Sequence, residues 1–101
     1  MIVNYSFHVT SELRDKLLAW LRSEYIPAAL ASGVFHSPLL AAIETEVQPG
    51  TASFALHLTA PDLDAADRWL DTVGAQMLLG LANAHPERVV FFRTNLAPLP
   101  L

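Results

Sequence analysis

Few residues in this chain can do chemistry near neutral pH. They are His8, His36, His57 and His85, with Arg93 as the lone cation of the greasy run Val89-Val90-Phe91-Phe92-Arg93. An imidazole titrates near neutrality, so a histidine beside a cation could abstract a proton or hold an anionic ligand. The expected grouping is His57 near Asn4 and Arg93 at one end of a sheet face, with His8 toward the other end and Glu44 and Glu46 at some distance across it. The same residues serve equally as interface or solvent groups with satisfied hydrogen bonds. Tyr25 and His36 lie on the long connection of residues 25–38, and connections of that length often carry binding groups. Read plainly, Tyr25 and Trp20 are core aromatics and His36 is a surface histidine.

Other chemistries lack support. His8, His57 and one glutamate could compose a two-histidine, one-carboxylate metal set, but no HxH or HExxH spacing enforces it, and no metal is expected. Ser6, Ser37 and Ser53 have no nucleophile elbow and no spaced acid and histidine partners. The four glycines form no phosphate loop, and the absence of cysteine removes disulfides, thiolate metal sites and a thiol nucleophile. No cofactor is expected. His85, ahead of Pro86 at a helix end, suits the negative end of a helix dipole.

These side chains need a scaffold, and the centre of it is residues 39–60. Gln48-Pro49-Gly50-Thr51 suits a type II turn, with proline presetting the second position and glycine accepting positive φ at the third. Pairing Gln48 with Thr51 sets Val47 opposite Ala52, Ile43 opposite Leu56, Glu46 opposite Ser53 and Ala42 opposite His57. Before the hairpin, residues 2–9 alternate as a half-buried strand, and residues 11–24 carry Leu13, Leu17, Trp20 and Leu21 at helical spacing. Pro27 should end or kink that helix near Tyr25 and begin a short turn that Gly33 stops. After the hairpin, Asp62 suits the N-cap of a helix with Leu63, Ala66, Trp69, Leu70, Val73, Met77 and Leu81 on one stripe. Gly74 inside that helix costs up to about 1 kcal/mol unless something packs closely on it. Residues 88–96 form a last strand that is apolar on both faces, which calls for helices on one side and another layer on the other.

The order strand, helix, strand, strand, helix, strand predicts an α+β ferredoxin-like βαββαβ sandwich: an antiparallel sheet in the order 4-1-3-2 with both helices on one face. Residues 1–96 are expected to form one domain and residues 97–101 a Pro-rich tail. The expected helix side carries Val3, Tyr5, Phe7, Val9, Ile43, Val47, Phe54, Leu56, Leu58, Val90 and Phe92. The expected open side carries Asn4, Ser6, His8, Leu40, Glu44, Glu46, Ala55, His57, Phe91, Arg93 and Asn95. Two such open faces together would make a dimeric α+β barrel.

Composition supports that pairing. Hydrophobic residues are 52 % of the chain and charged residues only 16 %, against about 25 % in ordinary globular chains. A small monomer needs charge to cover its surface, so the deficit points to a buried interface and a homodimer. The net charge of −4 with six scattered basic residues argues against nucleic-acid binding. The N-terminus lacks a signal-peptide pattern and no apolar run suffices to span a membrane, so a cytoplasmic location is expected.

FHV in the first strand, Trp20, the stretch EYIPAALASGVF followed by SP-x-L, and FRT in the last strand together resemble a family of small bacterial domains of unknown function. The matching positions are Phe7, His8, Val9, Trp20, Tyr25, Ile26, Pro27, Gly33, Phe35, Ser37, Pro38, Phe92, Arg93 and Thr94. The resemblance spans nearly the whole chain, implies a ferredoxin-like fold and brings no established activity. Many members of that family have histidine where Tyr25 stands, which weakens any role needing imidazole there. The expected function is a homodimeric binding or regulatory module holding a small molecule, with an anion among the candidates, at the sheet face through Asn4, His8, Tyr25, His36, His57 and Arg93. The alternative is a cofactor-independent enzyme of the dimeric α+β barrel kind, an oxygenase or isomerase.

Overall fold

Strand and helix alternate along the chain as the hydrophobic periods require. The computed structural model describes residues 1–45 and 48–101. Strand β1 (Ile2–Thr10) leads through a 3₁₀ turn (Ser11–Leu13) into helix α1 (Arg14–Trp20), a π-helical turn (Leu21–Tyr25) and helix α2 (Ile26–Ala31). Strands β2 (His36–Ile43) and β3 (Thr51–Thr59) follow, then helix α3 (Leu63–Trp69), a second π-helical turn (Leu70–Gly74), helix α4 (Ala75–Ala84) and strand β4 (Val89–Leu96). The sheet order is β2-β3-β1-β4 and every pairing is antiparallel. This is the expected ferredoxin-like topology, with the helices on one face of the sheet.

The two π-helical turns explain the burial pattern of both helical arms. Leu13, Leu17, Leu21, Tyr25 and Ala29 are all buried, at a spacing of four. A regular α-helix turns about 100° per residue, so sixteen residues would leave Ala29 about 160° round from Leu13. The wider turn at Leu21–Tyr25 uses roughly one residue more and recovers about 100° of that drift. Ala66, Leu70, Gly74 and Leu78 repeat the device around the turn at Leu70–Gly74. Pro27 therefore does not break the first arm near Tyr25, because the unwound turn ahead of it absorbs the missing donor and the helix runs on to Ala31. The same change of phase leaves Val73, placed by its spacing on the inner stripe, 49 % exposed while Leu78 is buried. Asp62 caps α3 as expected, its carboxylate accepting from the Ala65 N–H at 3.2 Å.

Two strand registers differ from expectation. The QPGT turn forms, with the Thr51 N–H donating to the Gln48 carbonyl at 3.3 Å and Gly50 at φ +77°. The strands do not begin flush against it, however, for Ile43 pairs with Ser53, Ala42 with Phe54 and Leu40 with Leu56. This is a slip of three residues from the expected pairing, and an odd slip exchanges the two faces. Leu40 thus lies on the helix side, Leu39 and Ile43 on the open side, and Glu44 beyond the strand's end; the placements of Glu46 and Val47 lie outside the described residues. In β4, Val89 pairs with Val9, Phe91 with Phe7 and Arg93 with Tyr5. Val89, Phe91, Arg93 and Asn95 accordingly share the helix side, and Val90 and Phe92 the open side, the reverse of the expected phase.

Candidate functional site

The open sheet face carries four of the six candidate residues, Asn4, His8, His36 and His57. Asn4 and His57 are directly paired across β1 and β3, and His8 stands four positions along β1 from Asn4, about 13 Å away. His8 Nδ1 lies 2.6 Å from Ser53 Oγ, and its ring stacks on Phe92 with centroids 5.8 Å apart. Asn4 donates to Ser6 Oγ at 3.1 Å. A central polar strip on β1 and β3, partly satisfied within the chain, is thus flanked by exposed Leu39 and Ile43 on β2 and by exposed Val90, Phe92 and Leu96 on β4. His36, exposed at the start of β2, pairs with Thr59 two positions along β3 from His57 and stands 2.9 Å from the Ser37 hydroxyl. Among the described residues no cluster of three His, Asp or Glu side chains could hold a metal.

Arg93 and Tyr25 belong to the other side of the sheet. The Arg93 guanidinium reaches past the edge of β4 toward the carboxylates of Asp67 at 3.9 Å and Asp71 at 3.6 Å. It cannot act with His57, which projects from the opposite face. Tyr25 is fully buried, with ring centroids 5.7 Å from Trp20, 5.7 Å from Trp69 and 6.3 Å from Tyr5. Burial pushes the Tyr25 hydroxyl far above its ordinary pKa, and the neighbouring Tyr5 adds to this. Burial also raises Tyr5, against the opposing pull of the Arg93 charge.

Tyr25, Tyr5 and Arg93 thus form a line of polar groups running from the core toward Asp67 and Asp71. Tyr5, Asp67 and Asp71 do not stand among the candidates drawn from the sequence. Two signals in the chain point to them: Tyr5 is the only side chain with a polar tip in the inward set Val3, Tyr5, Phe7, Val9, and Asp67 and Asp71 stand four apart on one helix face.

The line borders a cleft of about 460 Å³ between α4 and β4, walled by Leu70, Ala75, Leu78, Leu79, Ala82 and Phe91, with Tyr5, Asp71 and Arg93 at its polar end. A larger hollow of about 570 Å³ runs between α1 and α4 over Leu17, Trp20, Met77 and Leu81, with Lys16, Glu24 and His85 among its lining residues. Its charged groups stand on separate elements and do not share a hydrogen-bonded cluster. The cleft beside Tyr5 is therefore the better chemical candidate of the two.

The model of a family described as a domain of unknown function (DUF4286) matches residues 1–99. No curated protein matches the chain. Among solved structures, an antibiotic biosynthesis monooxygenase is similar at 21 % identity and a TM-score of 0.60, over 97 % of this chain and all of that one. A dimeric ferredoxin-like protein from an uncultured marine organism is similar at 10 % identity and a TM-score of 0.59, over 100 % of this chain and 99 % of that one. HapK from Hahella chejuensis is similar at 10 % identity and a TM-score of 0.62, over 100 % of this chain and 97 % of that one. At these identities the likeness is one of fold.

Proposed function

The chain belongs to the DUF4286 family, and from that premise we propose that it works as a homodimeric small-molecule-binding module in which two copies cover each other's open sheet faces. The observation that carries this reading is the position of the exposed large apolar residues. Those that lie in the sheet, Leu39, Ile43, Val90, Phe92 and Leu96, all stand on one face of it, a surface that water disfavours and a second copy would cover, whereas Leu30, Val73 and Leu79 are scattered over the helices. The polar strip between them is prepared for burial, since His8 with Ser53 and Asn4 with Ser6 already meet some of their hydrogen-bonding needs. A solved neighbour of the same fold is described as dimeric, which agrees with the reading.

The rival reading, a cofactor-independent enzyme, needs a base and a cation in one enclosed site. His57 and Arg93 project from opposite faces, so the pair named for that role stands apart. The binding module therefore has the better support. The small molecule is not held at the sheet face by Arg93, and Asn4, His8, His36 and His57 remain as the polar groups a second copy or a ligand would meet there.

Sedimentation velocity at micromolar concentration tests the assembly. The expected species has twice the 11.1 kDa chain mass. Val90→Lys, at a position 59 % exposed in the single chain, should shift it to the monomer without loss of fold. A wild-type monomer at that concentration, or a Val90→Lys dimer of unchanged affinity, overturns the reading.

A further inference from the structure

We propose that the cleft between α4 and β4 is a ligand site for an uncharged, largely apolar molecule that carries one hydroxyl or carbonyl oxygen, with Tyr5 and Arg93 receiving that oxygen. The site opens on the helix side of the sheet and shares only Phe92, at the edge of β4, with the face assigned to the partner copy, so it would persist in a monomer.

Shape comes first. A volume of about 460 Å³ falls within the usual range for small-molecule sites, and the walls are aliphatic and aromatic: Leu70, Leu78, Leu79 and Phe91. Polarity is confined to one end, where the Tyr5 hydroxyl, Arg93 and Asp71 converge. Such a cavity matches a greasy body with a single polar tip.

The polar end is under-used by the protein itself. Arg93 stands 3.6 and 3.9 Å from its two carboxylates, too far for a full hydrogen bond to either, so its N–H donors are free to turn toward a ligand. Among the described residues, Tyr25 Oη and Asp67 Oδ1 are two of the three buried side-chain polar atoms without a hydrogen-bond partner, and both flank this group. Buried polar atoms are nearly always paired, and these two lie behind Tyr5 and Arg93 rather than in the cleft wall, so the polar line that ends at the cleft is not saturated from within the chain. Tyr5 links the two ends, since its hydroxyl is influenced by Tyr25 on one side and by Arg93 on the other.

Charge decides the class of ligand. One guanidinium faces two carboxylates, leaving the local sum at one negative charge, so an anion gains from Arg93 and loses to Asp67 and Asp71. A neutral acceptor takes the hydrogen bonds without that repulsion. The high pKa of Tyr5 keeps its hydroxyl a donor throughout the physiological range.

Calorimetric titration of the purified protein with 2-naphthol and with 2-naphthoate at neutral pH tests the assignment, because the two probes share a body and differ in the charge of the tip. Binding of 2-naphthol tighter than 2-naphthoate is expected, with a ratio of about tenfold for a difference of one good polar contact. Leu79→Trp, at a position 59 % exposed and so harmless to folding, should obstruct the mouth and weaken 2-naphthol about tenfold. Tyr5→Phe keeps the ring's packing and should weaken 2-naphthol while sparing the fold. Failure of both probes to bind, 2-naphthoate binding as tightly as 2-naphthol, or affinity unmoved by Leu79→Trp overturns the site. Repeating the titration on the Val90→Lys monomer separates the two proposals, since binding there should survive the loss of the dimer.

Discussion

Gly74 offers the sharpest check on how the two helical arms are joined. It ends the second π-helical turn with helical backbone angles, so intrinsic propensity alone favours alanine there by about 1 kcal/mol. Packing opposes it. A Cβ at Gly74 would lie 2.9 Å from Trp69 Cζ3, 3.2 Å from Trp69 Cε3 and 3.2 Å from Tyr25 Oη. The Trp69 ring has little freedom to yield, as its centroid is 5.7 Å from that of Tyr25 and 5.5 Å from that of Phe35. Overpacking of this kind costs about 1–3 kcal/mol, so Gly74→Ala should be destabilising by about 1 kcal/mol net.

Gly80 is the internal control. It lies in α4, where an added Cβ would meet nothing within 4 Å, and Gly80→Ala should stabilise by up to about 1 kcal/mol. The two variants make the same chemical change in the same helical arm and should differ by about 2 kcal/mol with opposite signs. Each kcal/mol moves the midpoint of a domain this size by roughly 4–8 °C, so thermal unfolding at one fixed protein concentration resolves them easily. If Gly74→Ala proved as stabilising as Gly80→Ala, the close approach of Trp69 and Tyr25 to the second π-helical turn would be refuted.

Further outcomes concern the cap and the tyrosines. Asp62→Ala removes the carboxylate that accepts from Ala65 N–H and should cost about 1 kcal/mol in denaturant unfolding, with Asp62→Asn recovering most of it. The chain has only two tyrosines, Tyr5 and Tyr25, and both have folded pKa values raised above 10.0. Raised values mean that the folded state holds its protons longer than the unfolded chain, so this contribution is fully present below about pH 10 and is lost as pH rises above it. Absorbance near 295 nm should therefore show no tyrosinate until the protein unfolds in alkali, and unfolding free energy should fall by up to about 1.4 kcal/mol per pH unit for each tyrosine still protonated. Tyrosinate appearing with a midpoint near 10 in folded protein would contradict the burial of the pair.

Much of the scaffold is legible in the residues alone because local rules decide it. The alternation Val3, Tyr5, Phe7, Val9 sets the inward face of β1, Asp62 marks the start of α3, and Gln48-Pro49-Gly50-Thr51 forms its turn. The element order then allows essentially one right-handed arrangement, and the sheet order β2-β3-β1-β4 follows. The four-residue spacing of Leu13, Leu17, Leu21, Tyr25 and Ala29 also stands in the sequence, a period too long for a regular α-helix and a mark of its unwound turn.

Only the tertiary structure decides which side of the sheet certain residues occupy. In Val89-Val90-Phe91-Phe92 both phases are equally apolar, so periodicity carries no information, and the pairing of Val9 with Val89 settles that Arg93 faces the helices. In the hairpin the turn at Gln48–Thr51 does not dictate the register of β2, which ends at Ile43, and the packing of partly buried Leu40 opposite Leu56 prevails over the turn. The consequence is large: the phase of β4 moves Arg93 from beside His57 to beside Tyr5, and the slip in β2 brings Leu39 and Ile43 to the open face. Side-chain type is written in the chain, but the face a strand presents is a choice between two near-equal patterns that long-range packing alone makes.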